Sequence, residues 1–336
     1  MRPVGRGRAT LLAFRFFAAA PEPVSRAIMR VAADVAWLLH GSGVRRLEAN
    51  LCRARPGAPP REIRRLSLEG MRSYLRYYAE AFALPRLTPE QIDARMRPVG
   101  EATVLEACGQ GLPVVLALGH QGNWDLAGAW ATVHLAPVTT VAERLEPAEV
   151  FDAFVAMREA IGMRIIPLDK GTDVFRDLVR VLKGGDVLVP LLADRDLTSR
   201  GVEVTLLGER ARVAAGPAAL AVATGALLVP TLLRHERLHG ARRKAAGTPW
   251  GLVITFAPPV PVPDHLPRAE RVAAMTQGWV DALGADIAEH PTHWHMLQRV
   301  FVDDLDPARY AATTAVAGGR AAAGDASAHG PVEEDA

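Results

Sequence analysis

The stretch "LPVVLALGHQGNWDLAGAW" (residues 112–130) decides the interpretation of the fold, because a short polar loop joins an apolar run to a helical pattern. The run "VVLAL" has the length and apolar character of a buried β-strand. The segment that follows, "GNWDLAGAWATVHL", is predicted to be a helix. His120 therefore lies where the strand ends, and Asp125 lies in the first turn of the helix. In open α/β sheets, ligands bind outside this carboxyl end of the strands.

The alternation of strands and helices continues beyond this stretch. Apolar runs such as "RIIPL" and "DVLVPLLAD" alternate with helical segments such as "TDVFRDLVRVLKGG". This β-α-β-α-β order predicts a mainly parallel sheet flanked by helices. The runs "ALLVPTLLRHE" and "GLVITFAPPV" are predicted to form a hairpin-like pair of strands with a loop at residues 240–247, which makes the sheet mixed. A long helix closes this α/β core, which we assign to residues 96–312.

Residues 1–95 are predicted to form a helical region, because apolar residues recur at spacings of three and four. The first 30 residues contain six arginines and one glutamate, and no stretch reaches the roughly 18–20 uninterrupted apolar residues that cross a bilayer. We therefore predict helices that lie on a membrane surface, with arginines beside their apolar faces. Ordinary packing of amphipathic helices and a signal peptide that ends near Pro21 are the alternatives.

The composition is that of a globular protein, since 49% of the residues are hydrophobic and 23% are charged. The net charge is only +2, and we expect no nucleic-acid partner. The two cysteines, Cys52 and Cys108, have no CxxC spacing, which argues against a disulfide framework or a cysteine-built zinc site. Residues 313–336 are rich in Ala and Gly and are expected to be disordered.

Polar and titratable side chains follow three successive predicted strands. Because the carboxyl ends of parallel strands meet at one edge of a sheet, we expect these side chains to form a site. In chain order they are His120, Asn123, Asp125, Glu143, Arg144, Asp194, Arg195 and Asp196.

His120 is the predicted general base, because an imidazole with a pKa of about 6.5 accepts a proton from an alcohol at neutral pH. An acceptor must then hold one ring nitrogen. Asp125 can fold back from the helix to do so, and Asp194 can do so from another strand. The N–H groups at the helix start suit a developing oxyanion or a phosphate. The alternatives are a loop histidine bonded to the backbone and an aspartate that only stabilises the helix dipole.

Other chemistries lack their motifs. The chain has no GxSxG turn for a serine nucleophile, no P-loop lysine motif and no GxGxxG after a strand. The segment "HPTHWHMLQ" contains three histidines, but we predict no metal site there and interpret Trp294 as a packing residue. No cofactor is expected.

The stretch "GHQGNWDLAGAW" resembles the H-x4-D motif of the membrane-associated acyltransferases that include the bacterial lipid A acyltransferases. The resemblance is closer to the phosphatidylinositol mannoside acyltransferases of actinobacteria. It extends over residues 70–300 and includes "SYLRYYAEAFALP", "TTVAERLEP", "ADRDLTSRGVEVTLLGERARVAAGPAALAVATGA" and "HWHMLQ". It implies transfer of a fatty acyl group, expected to be palmitoyl, from acyl-CoA to a mannose hydroxyl of a membrane glycolipid. It also implies a peripheral protein at the cytoplasmic face of the inner membrane.

The resemblance also assigns roles to residues. It implies that His120 is the base, Asp125 its motif partner and Asp194 the second catalytic carboxylate. Some relatives have Glu at the last position, and Asp194 is one methylene shorter, so the missing reach to His120 is expected to be made up by backbone or water. The predicted substrate-binding residues are Asn123, Glu143, Arg144, Arg158, Arg195 and Arg200, of which Arg158 and Arg200 match positions near the donor thioester or the CoA phosphates.

Two other functions stay open. One is acylation of a lipid A precursor or another phospholipid; its glycerol-phosphate version is disfavoured because the chain lacks a downstream Glu-Gly-Thr-Arg motif. The other is a non-catalytic lipid-binding protein of the membrane surface, which has no need of a histidine poised beside two carboxylates. The oligomeric state is open.

Overall fold

The structure is a computed structural model that describes residues 4–144, 148–168, 173–196, 198, 201–308 and 310–311, with side chains from residue 12 onward. The α-helices within these residues are α1 (Val4–Ala19), α2 (Glu22–Leu38), α3 (Ser42–Ala54), α4 (Pro60–Ala83), α5 (Pro89–Arg95), α6 (Ala102–Gly109), α7 (Trp124–His134), α8 (Ala148–Ala160), α9 (Val174–Lys183), α10 (Gly216–Thr224), α11 (Gly240–Ala246) and α12 (Arg268–Glu289). The strands are β1 (Met96–Val99), β2 (Val114–Leu118), β3 (Thr139–Glu143), β4 (Arg164–Leu168), β5 (Leu188–Leu192), β6 (Val202–Leu206), β7 (Glu209–Val213), β8 (Leu227–Arg237) and β9 (Trp250–Phe256).

Five strands form the central sheet in the order β1-β9-β8-β2-β5. Neighbouring strands are parallel except β8 and β9, which are antiparallel. The prediction of a mainly parallel, mixed sheet flanked by helices is therefore confirmed. Strands β3 and β4 form a separate parallel pair that adjoins β5 through one bridge, between Val138 and Leu188. Strands β6 and β7 form an antiparallel hairpin.

Strand β2 shows how the sheet separates two cores, because successive side chains of a strand point to opposite faces. Val115 and Ala117 belong to a core that includes residues of α9, α10 and α12. Val114, Leu116 and Leu118 belong to the other core, which includes residues of α6 and α7. All five residues of β2 are buried, so the loop that follows it starts from a strand held on both faces.

The N-terminal helices pack on the core through α4 and leave apolar side chains outside. Phe14 and Phe17 of α1 contact the ring of Phe82 on α4, with centroid distances of 5.0 and 5.8 Å. None of the described helices is both long enough and apolar enough to cross a membrane. The exposed large apolar side chains of α1 and α2 are Leu12, Phe16, Val24, Ile28, Val31, Val35 and Leu38.

Several elements differ from the sequence predictions. The predicted loop at residues 240–247 contains the helix α11, which ends at Gly247 in the left-handed conformation (φ 67°). A glycine at this position is a helix end signal rather than a loop signal. Strands β1, β6 and β7 are not among the predicted elements; β1 has only four residues and contains Pro98. Residues 313–336, expected to be disordered, lie outside the described residues.

Candidate active site

The loop between β2 and α7 can take its path only with glycine at two positions. A Cβ atom at Gly119 would lie 2.8 Å from Leu283 Cδ1 and 3.3 Å from Asp194 Oδ2. Gly122 has a φ of +56°, and a Cβ atom there would lie 2.9 to 3.0 Å from Leu233. Glycine avoids both contacts and tolerates the left-handed conformation. The two glycines therefore let His120 approach the neighbouring strand end closely.

Asp194, at the end of β5, holds His120 directly. Its Oδ1 atom lies 2.6 Å from His120 Nδ1, and its Oδ2 atom accepts a hydrogen bond of 2.9 Å from the His120 backbone N–H. The Trp294 indole N–H donates a second hydrogen bond, of 2.8 Å, to Oδ2. Asp194 is completely buried, whereas the His120 side chain is 39% exposed. Of the two expected ways to make up for the shorter side chain of Asp194, the structure shows the backbone: β2 and β5 are adjacent parallel strands that end side by side, and the contact with the ring is direct.

The two charges of this pair favour each other. Burial lowers the pKa of the His120 imidazole, but the charge of Asp194 and its hydrogen bond outweigh burial, so the pKa lies above its ordinary value. Burial raises the pKa of the Asp194 carboxyl, but the same pairing and the further N–H donors lower it overall. Asp194 is thus an anion at neutral pH that accepts from Nδ1–H. In the neutral form of His120 the lone pair is then on Nε2, which has no hydrogen-bond partner among the described residues.

Asp125 does not hold the ring, contrary to the first of the two arrangements considered from the sequence. Its Oδ1 atom accepts a hydrogen bond of 2.7 Å from Arg158 Nε, and its Oδ2 atom accepts one of 2.8 Å from the Tyr77 hydroxyl. Asp125 and Arg158 are both largely buried, with side chains 1% and 17% exposed. The pair ties the first turn of α7 to α8 and α4. Tyr77 was not singled out from the sequence, although it lies in the "SYLRYYAEAFALP" segment.

Asn123 links the loop after β2 to α7 and to α4 through two side-chain hydrogen bonds. Its Oδ1 atom accepts a hydrogen bond of 3.0 Å from the Leu126 N–H and so caps α7. Its amide group donates a hydrogen bond of 2.9 Å to Glu80 Oε2, which also lies 3.1 Å from His235 Nε2. Asn123, Glu80 and His235 are all buried. In the described structure Asn123 therefore orients the loop from behind.

The segment after α12 covers the loop from the other side. The His295 N–H donates a hydrogen bond of 2.7 Å to the His120 carbonyl oxygen, and the Gly122 N–H donates one of 3.2 Å to the His293 carbonyl oxygen. Burial lowers the pKa values of His293 and His295 well below the ordinary value, so both rings are neutral at pH 7. Trp294 packs as expected but is also a donor to Asp194, a role that was missed because 100 residues separate the two. Among the described residues, no group of His, Cys, Asp and Glu can hold a metal ion.

The remaining predicted site residues within the described part of the chain are not hydrogen-bonded to His120 or Asp194. Glu143 and Arg144 are exposed at the end of β3, where Arg144 stacks on Phe151, and neither bonds to His120 or Asp194. Arg195 donates a hydrogen bond of 3.0 Å to the Arg299 carbonyl oxygen. Its positive charge also lowers the pKa of the neighbouring His120, but this effect is smaller than the increase caused by Asp194. Arg200 lies outside the described residues.

The arrangement can perform general base catalysis. A carboxylate bound to Nδ1–H fixes the ring and its tautomer, and it stabilises the imidazolium that forms when Nε2 takes a proton. The His120 side chain is 39% exposed and can meet a hydroxyl group, and the first turn of α7, which follows the same loop, has backbone N–H groups without an intrahelical partner. Among the described residues, no serine or cysteine is hydrogen-bonded to the His120 ring.

The proteins that are similar to this chain are named as acyltransferases. The family described as "bacterial lipid A biosynthesis acyltransferase" matches residues 8–302. A protein from Mycolicibacterium smegmatis named phosphatidylinositol mannoside acyltransferase is 34% identical over 299 residues, which cover 89% of this chain and 92% of that protein. Two proteins of the same name from strains of Mycobacterium tuberculosis are each 39% identical over 278 residues, which cover 81% of this chain and 81% of each relative.

Proposed function

The chain is an acyltransferase that belongs to the bacterial lipid A biosynthesis acyltransferase family, and on this premise we propose that it transfers a palmitoyl group from palmitoyl-CoA to a mannose hydroxyl of a phosphatidylinositol mannoside. The names of the similar proteins support this acceptor. The observation that carries the proposal is the contact of 2.6 Å between His120 Nδ1 and the buried Asp194, which leaves Nε2 available on the exposed side.

In the proposed reaction His120 acts on the acceptor directly. Nε2 takes the proton of the mannose hydroxyl while the hydroxyl oxygen attacks the thioester carbonyl carbon. The new C–O bond gives a tetrahedral oxyanion. When the C–S bond breaks, the imidazolium returns its proton to the CoA thiolate, and the products are the sugar ester and free CoA. No acyl-enzyme forms, so no nucleophilic side chain is needed.

Two groups stabilise this sequence of steps. Asp194 keeps the imidazolium paired, and backbone N–H groups of the first turn of α7 are the proposed donors to the oxyanion. The Asp125–Arg158 ion pair holds that turn in place, so we assign both residues a positioning role in this reaction. That Arg158 also lies near the donor thioester or the CoA phosphates stays a prediction, because the short contact with Asp125 engages its Nε atom and not the whole guanidinium group.

We also propose that the chain works on a membrane surface, at the cytoplasmic face of the inner membrane. The exposed apolar residues of α2 are spaced by four, three, four and three positions, which places them on one face of the helix. These residues are Val24, Ile28, Val31, Val35 and Leu38, with exposures of 45%, 39%, 63%, 49% and 69%. An apolar stripe of this kind on an outer helix supports attachment in the plane of the membrane.

The test is incubation with labelled palmitoyl-CoA and a panel of lipids, followed by mass analysis of the products and measurement of CoA release. The panel contains mannosylated phosphoinositides, unmannosylated phosphatidylinositol and a lipid A precursor. We expect a gain of one palmitoyl group only on the mannosylated lipids. Acylation of the lipid A precursor instead would reassign the acceptor.

The His120→Ala variant is the control for the chemistry. It removes one of the three N–H donors to the buried Asp194, so its thermal unfolding midpoint is expected to fall by several degrees. The variant is expected to stay folded at the assay temperature and to lose measurable transfer. Turnover at the wild-type rate by a folded His120→Ala protein would refute the general base mechanism.

A further inference from the structure

Three arginines outside the candidate active site have no hydrogen-bonded or ion-paired carboxylate among the described residues, although the charge of Arg30 acts on Asp34 and that of Glu80 acts on Arg76. Arg30 on α2, Arg76 on α4 and Arg237 on β8 form neither a hydrogen bond nor an ion pair with any described residue. They lie near one another, because the charges of Arg237, Arg30 and Arg26 all act on Arg76. Most other buried or half-buried arginines of the described chain have a carboxylate or carbonyl acceptor, as Arg95 does with Glu22.

Two of these arginines stack on one indole ring. The guanidinium carbon of Arg76 lies 3.5 Å from the centroid of Trp250, and that of Arg237 lies 4.0 Å from it. Two guanidinium groups at these distances collide if they share a face, so they occupy opposite faces of the indole. Arg237 and Trp250 are direct partners in the antiparallel β8–β9 pair, which explains why their side chains lie together. We call Arg30, Arg76, Arg237 and Trp250 the Arg–Trp cluster.

The stacking fixes the arginines but does not neutralise them. Burial and the neighbouring arginine charges lower the pKa of Arg76 to about 10, so it still carries a full positive charge at neutral pH. The carboxylate whose charge acts on Arg76 is Glu80, and that group is already engaged with Asn123 and His235. Because no protein carboxylate pairs with these guanidinium groups, a bound anion would form charge-assisted hydrogen bonds with them, which are stronger than neutral ones.

A basic cavity adjoins the cluster. Its volume is about 390 Å³, and it is lined by residues that include Arg26, Arg243, Lys244 and Thr248. Arg26 donates a hydrogen bond of 3.0 Å to the Thr248 hydroxyl, two residues before Trp250. Arg243 and Lys244 on α11 are exposed and have no ion pair with a described residue. The local excess of positive charge therefore extends from the stacked indole to α11.

The position of this charge on the molecule suggests what binds it. Arg30 is exposed on the flank of α2, beside the apolar stripe, whereas Arg26 lies on the face of α2 that packs on the core and bonds to Thr248. An anion that reaches both the stripe and the Arg–Trp cluster must present its charge at the boundary between apolar chains and water. Phospholipid headgroups do so, and the guanidinium fork matches the geometry of a phosphate.

We propose that the Arg–Trp cluster and the adjoining basic cavity form a binding site for the phosphate of an anionic phospholipid headgroup, distinct from the mannose hydroxyl that is acylated. The proposal rests on the membrane attachment given above. Its consequence is that the enzyme binds anionic membranes in a fixed orientation, with the cluster, α2 and α11 at the headgroup level.

The test is sedimentation with vesicles of phosphatidylcholine alone or with about one third phosphatidylglycerol, in the absence of acyl-CoA. The wild-type protein is expected to bind the anionic vesicles at least tenfold more tightly. Arg76→Gln with Arg237→Gln is expected to lose about fivefold per arginine, the effect of one basic residue near an anionic surface. The matched control is Arg164→Gln with Arg268→Gln, which removes two exposed arginines from β4 and from the start of α12. It is expected to change binding less than twofold.

A charge-preserving variant separates a built site from a diffuse basic surface. Arg76→Lys with Arg237→Lys keeps the net charge but removes the planar fork and its stacking, so the site predicts a loss of at least about threefold. Unchanged binding of this variant, or an equal loss in the Arg164 and Arg268 control, overturns the proposal. Thermal unfolding of each variant shows that it is folded.

Two further outcomes distinguish this proposal from the membrane attachment. Equal binding of the wild-type protein to both vesicles overturns the site for an anionic headgroup alone, whereas no binding to either overturns both. Tight binding of soluble adenosine 3′,5′-bisphosphate that depends on Arg76 and Arg237 would identify a site for the CoA phosphates and overturn the lipid assignment.

Discussion

Replacement of Asp194 by Asn tests the central contact, because the change removes a charge without changing the shape of the side chain. The carboxylate accepts from three N–H groups. Two of these donors, the His120 backbone N–H and the Trp294 indole N–H, share Oδ2 and have no alternative tautomer. The amide oxygen of Asn must therefore take the Oδ2 position, and its NH2 group must face His120 Nδ1.

The consequence is a change of tautomer. An NH2 group needs an acceptor, so the ring moves its proton from Nδ1 to Nε2 and presents a donor to the hydroxyl instead of a lone pair. In serine proteases the same substitution lowers kcat by about 10⁴-fold for the same reason. We expect a decrease of similar order in kcat for Asp194→Asn, with KM for palmitoyl-CoA changed less than about threefold.

The assay is CoA release at saturating acceptor, together with ¹⁵N NMR of the His120 ring to identify the protonated nitrogen. Asp286→Asn is the matched control, because Asp286 Oδ2 accepts from Gln121 beside the same loop but does not touch the His120 ring. It is expected to retain activity within about fivefold. Activity of Asp194→Asn within tenfold of wild type, with Nδ1 still protonated, would refute the reasoning.

Three more predictions follow from other contacts. Since the pKa of His120 is raised and the base must be neutral, kcat/KM should fall as the pH drops through a midpoint above the ordinary value of about 6.5, as a pH–rate profile will show. Asp125→Ala leaves Arg158 buried without its anion and should lower the free energy of unfolding by about 3–5 kcal/mol in urea titration; a loss below about 1 kcal/mol contradicts a buried ion pair. Gly122→Ala forces a Cβ atom into Leu233 at positive φ, and should cost about 1–3 kcal/mol and lower the melting temperature, whereas an unchanged melting temperature argues against the loop geometry.

The sheet edge and its histidine were predictable, because they depend on local patterns. The apolar run of β2 is followed at once by His120, and the antiparallel β8–β9 pair and the helix α12 lie where the sequence places them. The helix α11 was missed because glycines at both ends of a basic segment resemble a loop, although the residues between them form helices readily.

The hydrogen-bond partners of the site residues could not be predicted from their separation in the sequence. Asp125 is only five residues from His120, yet the first turn of α7 directs it to Arg158 and Tyr77. Asp194 and Trp294 are 74 and 100 residues from their partners and meet only because β5 lies beside β2 and the segment after α12 returns to the loop. Periodicity describes which face a residue occupies, but it carries no information on which element packs against that face.

The three hydrogen bonds on Asp194 also make the orientation of the His120 ring depend on the tertiary structure. They join a strand end, a loop and the segment after the last long helix, so the base is oriented only while all three parts of the chain are docked. No substrate-induced rearrangement is needed to orient the imidazole. Heat inactivation should therefore coincide with detachment of the segment around Trp294, and loss of catalysis should precede the melting of the peripheral helices.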